Sequence, residues 1–137
     1  MYLGVYLLPV LVAAVAGFVI GFLWHGPLFG KVWMKMMGIT QKQMKEAQMK
    51  NMLPQMAAAF VQQLVLAYVI ALFAGALGVA SAMDAVQLAF WLWLGFIVTT
   101  HLNGVLWENR KMELYLFSLS CYAALFLAMS LIVGLWQ

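Results

Sequence analysis

Long apolar stretches dominate the chain and are interrupted by only a few short polar ones. Four of them are long enough to cross the hydrocarbon core of a bilayer, which takes about 20 helical residues. Lipid offers the backbone no hydrogen-bond partners, and the roughly ten-residue alternation typical of a membrane barrel is absent, so we expect helices. The predicted membrane-spanning helices are Leu3 to Trp24, Pro54 to Gly78, Ala85 to Trp107 and Leu114 to Trp136.

Composition excludes a water-soluble globular protein. Of the 137 residues, 67% are hydrophobic and 8% are charged, with a mean hydropathy of +1.00, and a soluble fold could not cover that much apolar surface. Little chain remains outside the predicted helices, so we expect one all-α transmembrane domain over residues 1–137 and no enzymatic activity. Cys121 is the single cysteine and cannot form a disulfide within the chain.

The charged residues predict the orientation in the membrane. Basic residues fall in two of the three connections, residues 25–53 and 108–113, whereas the connection "GVASAMD" carries only Asp84. By the positive-inside rule we expect both basic loops to be cytoplasmic and both termini to lie outside. We interpret the calculated pI of about 9.2 as contact with anionic lipid headgroups and not with nucleic acid.

The first basic loop contains signals for two short helices. Pro27 breaks the first membrane helix, and Gly38 ends a short amphipathic piece that follows it. Thr40 and Gln43 fit a capping box, which predicts a second short helix running to about Met52. Lysine beside Met and Trp is typical of helices that lie flat among lipid headgroups, so we expect an amphipathic inner loop.

Small residues recur at four-residue spacing and predict the packing faces. In lipid, small residues allow helix backbones to approach each other closely. In chain order the four stripes are Ala13, Gly17 and Gly21; Ala67, Ala71 and Gly75; Gly95 and Thr99; and Ser120, Ala124 and Ala128.

Polar side chains extend these stripes toward the predicted cytoplasmic side. At about 1.5 Å per residue their depths are similar, which predicts a shared polar layer that opens inward. The candidate ligand-binding residues are His25, Gln63, Thr99, His101, Asn103 and Ser120. Two interpretations stay open: a ligand site or pathway, and hydrogen bonds that join the helices. His101 is two residues from Thr99 and Asn103, so we expect it on nearly the opposite face, either meeting another helix or subunit or reaching the surface.

Two histidines at similar depth raise the possibility of a haem or metal site. His25 and His101, with Glu108, are ligand types suited to haem or zinc. However, the sequence contains neither HxxxH nor CxxC, so we expect no cofactor and no metal.

Two stretches, "WHGPLFGKVWMKMMGIT" and "WLGFIVTTHLNGVLWENRKMELYLFSLSCY", resemble the small four-helix membrane family known as domain of unknown function 1761. The likeness covers essentially the whole chain, and its most specific part is Trp24, Pro27, Phe29, Gly30, Lys31 and Trp33. The resemblance implies a bacterial multi-pass protein of the cell (inner) membrane with no assigned activity. The family often has Tyr after the Trp, where this chain has His25, so no role specific to imidazole is implied there.

These observations favour three functional hypotheses. The leading one is a small transport-type protein that binds a polar solute or ion in the inner polar layer. The second is a structural or accessory subunit of a larger membrane complex, and the third is a haem or metal carrier. Because four short helices bury little on their own, we expect a homo-oligomer or partner membrane subunits.

Overall fold

The protein is all helical and contains the four predicted spans. The computed structural model describes residues 7–38, 40, 42, 43, 45, 46 and 53–136, and it is 88% helix with no strand in that part of the chain. The helices are α1 (Leu7–His25), α2 (Gly30–Met37), α3 (Leu53–Ala76), α4 (Ala82–Trp107) and α5 (Met112–Trp136). By length and composition α1, α3, α4 and α5 can cross a membrane. The predicted start at Leu3 lies outside the described residues.

The predicted break after α1 is confirmed. The helix ends at His25, and the Leu28 N–H donates to the Leu23 carbonyl (3.0 Å) across a tight turn. The chain then enters α2, which ends at Gly38 with a positive φ of 71°. A positive φ suits glycine because it has no Cβ to clash.

The predicted capping box is also confirmed. The Thr40 N–H donates to Gln43 Oε1 (2.9 Å), and the Gln43 N–H donates to Thr40 Oγ1 (3.1 Å). These reciprocal bonds satisfy two N–H groups that the first turn of a helix leaves free. Lys42, Gln43, Lys45 and Glu46 are helical, whereas the predicted helix end near Met52 lies outside the described residues.

Helix α5 is the central element of the bundle. It packs against α1, α3 and α4, while α1 also packs against α3. Among the described residues, no extensive contact joins α3 to α4. An apolar groove of about 400 Å³ lies between these two helices, and Phe126 of α5 contributes to its lining.

Small residues form part of the packing faces of α1 and α3, as predicted, although Gly21 is half-buried and Gly75 is exposed. On α4 the buried small residues include Ala85 and Ala89, which are not the predicted pair. Ala13, Gly17, Ala67 and Ala71 are buried. The other two stripes are wrong as packing faces: Gly95, Thr99 and Ser120 are exposed, and Ala124 and Ala128 are half-buried. Bulky residues of α5 enter the core instead, namely Leu125, Phe126, Met129 and Val133. The packing therefore sets large side chains of the central helix against the small faces of its neighbours, in keeping with the close packing of protein interiors.

Gly17 marks the closest approach in this core. A Cβ at this position would clash with Met129 Cε and would stand 2.5 Å from Gln63 Oε1. Both atoms are the far ends of flexible side chains, so a single methyl would be accommodated more easily than a branched side chain. At Gly21, one turn further along α1, a Cβ would meet nothing within 4 Å.

We expect Gly17→Val to destabilise the bundle and Gly21→Val to serve as its matched control. Overpacking of a filled core costs about 1–3 kcal/mol, whereas at Gly21 the new side chain would enter open space. The measurement is the free energy of unfolding in mixed micelles. Equal destabilisation by the two substitutions would contradict the close contact at Gly17.

Candidate functional site

A π-helical turn interrupts α4 at Trp93–Val98. In such a turn the backbone hydrogen bonds span five residues instead of four, and π turns inside α-helices are frequently found at functional sites. Four successive carbonyl groups here each accept a hydrogen bond from a side chain. The acceptors are Gly95, Phe96, Ile97 and Val98, and the donors, in the same order, are Thr99, Thr100, His101 and Tyr115. Because lipid supplies no acceptors, these carbonyl groups satisfy the side-chain donors from within the protein.

Two of the side-chain bonds near this turn join α4 to α5. Tyr115 Oη donates to the Val98 carbonyl (2.8 Å), and Trp93 Nε1 donates to the Leu119 carbonyl (2.9 Å). Thr99 and Thr100, in contrast, bond to carbonyls of their own helix. The hydroxyl groups of Thr99 and Thr100 are therefore satisfied within α4.

His101 is held in a defined orientation. Its Nδ1 lies 3.1 Å from the Ile97 carbonyl, which can only accept, so Nδ1 is the donor. In the neutral ring, Nε2 then has no proton and is an acceptor or ligand atom. The half-buried ring also contacts Tyr122 of α5, with ring centroids 5.2 Å apart. Of the alternatives left by the sequence, His101 therefore meets another helix.

A polar cleft of about 440 Å³ lies at the end of α4. We call this end of the bundle, which carries Arg110 and Lys111, the basic end. The cleft is lined by Thr100, His101, Asn103, Gly104, Glu108 and Arg110. His101 and Asn103 thus border one cleft, although their spacing predicts nearly opposite faces.

The end of α4 places Arg110 over the cleft. The N–H groups of Glu108 and Arg110 both donate to the Gly104 carbonyl (3.1 and 2.9 Å), and Asn109 between them has a φ of 54°. The side chain of Arg110 covers Gly104, so that a Cβ there would stand 3.3 Å from Cδ and from Nε. Within residues 53–136 the guanidinium has no hydrogen bond and no ion pair.

His25 and Ser120 lie away from the cleft, in a cluster with Trp24, Trp33 and Phe117 that we call the aromatic corner. Trp24 Nε1 donates to Ser120 Oγ (3.1 Å), and Ser120 Oγ donates to the Phe117 carbonyl (2.7 Å). The His25 ring meets Trp33 and Phe117 edge to face, with centroids 5.3 and 5.4 Å apart. These contacts hold the end of α1 and the start of α2 against α5, and none of them involves a residue of the polar cleft.

Gln63 lies in a third place, inside the bundle. Its Oε1 packs beside Gly17 of α1 and Met129 of α5. This oxygen and Ser130 Oγ are buried without a hydrogen-bond partner in the described structure. Five of the six candidate residues are thus divided among three places: the aromatic corner, the bundle interior and the α4 cleft. The sixth, Thr99, bonds to the Gly95 carbonyl and does not line the cleft. The candidate residues are separated because α3 and α4 each pack on α5 and leave an apolar groove between them.

The polar cleft includes residues that the sequence did not suggest as ligand-binding. Thr100, Gly104 and Arg110 were not among the candidates, and Glu108 was considered only as a metal ligand. One signal was available: Asn is among the few residues that readily adopt a left-handed conformation at a helix end. Asn109 therefore indicated that α4 ends here and that the next residue folds back against the helix.

The two histidines are not assembled with Glu108 into a metal or haem site. His25 lies in the aromatic corner, whereas His101 and Glu108 line the cleft. In the described part of the chain, no group of three or more His, Cys, Asp or Glu side chains is placed to hold a metal ion.

The fold identifies the class of protein, and comparison with known families identifies the family. Four helices of membrane-spanning length define a multi-pass membrane protein. A family model described as "Protein of unknown function (DUF1761)" matches residues 8–134. The chain belongs to this family, which confirms the resemblance seen in the sequence. No curated protein and no solved structure matched the chain.

The bond from Tyr115 to the Val98 carbonyl can be tested by removing one hydroxyl. We expect Tyr115→Phe to lower the free energy of unfolding by about 1 kcal/mol, the size of hydrogen bonds between membrane helices. Tyr68→Phe is the matched control, because Tyr68 lies exposed on α3 with no hydrogen bond in the described structure. Unfolding in mixed micelles measures both variants, and equal effects would count against the bond.

Proposed function

We propose that the protein is a transport-type membrane protein that binds a small polar solute or ion in the α4 cleft. One observation carries the proposal: the cleft of about 440 Å³ is lined by an unpaired guanidinium, a carboxylate, an amide and an imidazole. Polar and ionisable groups at membrane helices usually mark ligand or ion pathways.

The lining residues have atoms available for a ligand. Among the described residues, the N–H donors of the Arg110 guanidinium have no partner, and the exposed Asn103 side chain makes no hydrogen bond with its amide donor or its acceptor. The Nδ1 contact of His101 leaves Nε2 free in the described structure, and a tilted contact with the Tyr122 ring supports the imidazole. A ligand-binding side chain that its neighbours already hold in place loses little conformational freedom when the ligand binds, which favours affinity.

Polar atoms deeper in the bundle support a transport role over simple surface binding. Gln63 Oε1 and Ser130 Oγ are buried without partners in the described structure. An unpaired polar atom costs free energy in an apolar interior. Both atoms would be satisfied by water or by a polar solute that entered the bundle, so they offer polar positions between the helices.

The orientation and assembly of the protein form part of the proposal. By the positive-inside rule, the basic end faces the cytoplasm, and the cleft opens to that side of the cell (inner) membrane. Anionic lipid headgroups would contact Lys31, Lys35, Arg110 and Lys111. Because α4 packs extensively on α5 alone within the described chain, its remaining surface is available to a second copy in a homo-oligomer. We propose no catalytic step.

We expect purified protein in liposomes to admit small polar solutes. Stopped-flow light scattering after an osmotic jump measures entry of glycerol, urea and glycine as probes. The reswelling rate for at least one probe should exceed that of empty vesicles about tenfold, equivalent to a barrier lower by about 1.4 kcal/mol. Arg110→Gln and Asn103→Leu should remove most of this increase, because they take away the polar lining.

Lys111→Gln is the matched control, since it removes the neighbouring charge outside the cleft lining. Rates equal to those of empty vesicles for all three probes would refute the transport role. Native mass spectrometry from mild detergent would then separate the other two roles. A membrane protein at fixed stoichiometry would indicate an accessory subunit, and bound haem or metal would indicate a carrier.

A further inference from the structure

Two opposite charges border the α4 cleft without neutralising each other. Glu108 and Arg110 both line it, yet no ion pair within 4 Å joins them or links either to another described residue. The two residues are separated by Asn109 alone, and both backbone N–H groups are bound to the Gly104 carbonyl. The helix cap therefore sets the backbone positions of two oppositely charged residues that line the cleft.

The position of Arg110 is set by packing as well as by the cap. Its Cδ and Nε lie against the bare Cα of Gly104, and a side chain at position 104 would push them away. Gly104 is buried, so the aliphatic part of Arg110 covers α4 while the guanidinium borders the cleft. The charge is thereby held near Asn103 and His101, which add neutral donors and acceptors.

We propose that the ligand of this cleft is a small zwitterion, with an ammonium group at Glu108 and an oxyanion at Arg110. The inference rests on the proposed function and names its ligand class. A simple anion would meet the carboxylate of Glu108, and a simple cation would meet the guanidinium of Arg110. A zwitterion is attracted by both charges, and its oxyanion suits the planar donor fork of arginine.

Two sources could supply this chemistry at the basic end of the bundle. One is the headgroup of an aminophospholipid, which joins a primary ammonium to a phosphate. The other is a soluble zwitterion such as an amino acid. Both present an ammonium and an oxyanion a few bonds apart, so the test includes an arm for each.

The test compares a zwitterion with its two halves. Full-length protein in a neutral maltoside detergent is titrated with O-phosphoethanolamine, ethyl phosphate and ethylamine, and the dissociation constants are measured by thermophoresis. We expect O-phosphoethanolamine to bind at least about tenfold more tightly than either half, since it gains a second charge-assisted contact. Dioctanoyl phosphatidylethanolamine tests the lipid headgroup and glycine tests the soluble zwitterion. The one that binds more tightly indicates which of the two sources supplies the ligand.

Variants that remove one charge test which residue binds which half of the ligand. The Glu108→Gln variant should bind O-phosphoethanolamine no more tightly than ethyl phosphate. The Arg110→Gln variant should bind O-phosphoethanolamine no more tightly than ethylamine. Lys111→Gln is the matched control for Arg110→Gln, and Glu113→Gln for Glu108→Gln, because each removes a charge of the same sign outside the cleft lining. Both controls should leave the ratios of the dissociation constants unchanged. Unfolding midpoints equal to that of the unsubstituted protein check that each variant is folded.

Three results would overturn the inference: equal affinity for ethyl phosphate and O-phosphoethanolamine, a Glu108→Gln variant with unchanged ratios, or no binding of any probe. If the inference alone fails, the liposomes still admit a polar probe although the zwitterion is not preferred. If the proposed function alone fails, the zwitterion binds but no probe crosses the membrane.

Discussion

The need to satisfy hydrogen-bonding groups inside lipid shapes the polar part of this protein. The π turn at Trp93–Val98 coincides with four carbonyls that are bonded by side chains, one of them from α5. A dense polar row beginning at Thr99 would be costly in a membrane without that role. The same bonds fix His101 with Nε2 free and tie α4 to α5 directly before the cleft. These hydrogen bonds thus lie directly beside residues that line the cleft.

The second constraint is the central position of α5. Its large side chains fill the small faces of α1 and α3, and Met129 reaches Gly17. Because α3 and α4 pack on α5 and not extensively on each other in the described chain, polar residues at similar depth do not meet. Gln63 remains inside the bundle, whereas Asn103 borders the cleft. The polar cleft is therefore built almost entirely from the end of α4 and the residues that cap it.

The sequence predicted the helices well because hydropathy and capping are local properties. The four spans, the break near Pro27 and the Thr40 capping box are all confirmed. The shared polar layer was inferred from depth alone, and depth does not tell which neighbour a side chain faces. His101 and Asn103 both follow the π turn in regular α-helix and still border one cleft, so helical spacing alone did not show that they line the same site. The position of Arg110 depends on a left-handed Asn109 and on contact with Gly104, which no periodic pattern reveals.

Proton-detected solid-state NMR of the labelled protein in bilayers tests the central claim most directly, because it observes hydrogen bonds in lipid. The account predicts a cross-peak between the Tyr115 hydroxyl proton and the Val98 carbonyl carbon, together with backbone bonds that span five residues across Trp93–Val98. A regular four-residue pattern through this segment, with no such cross-peak, would contradict it.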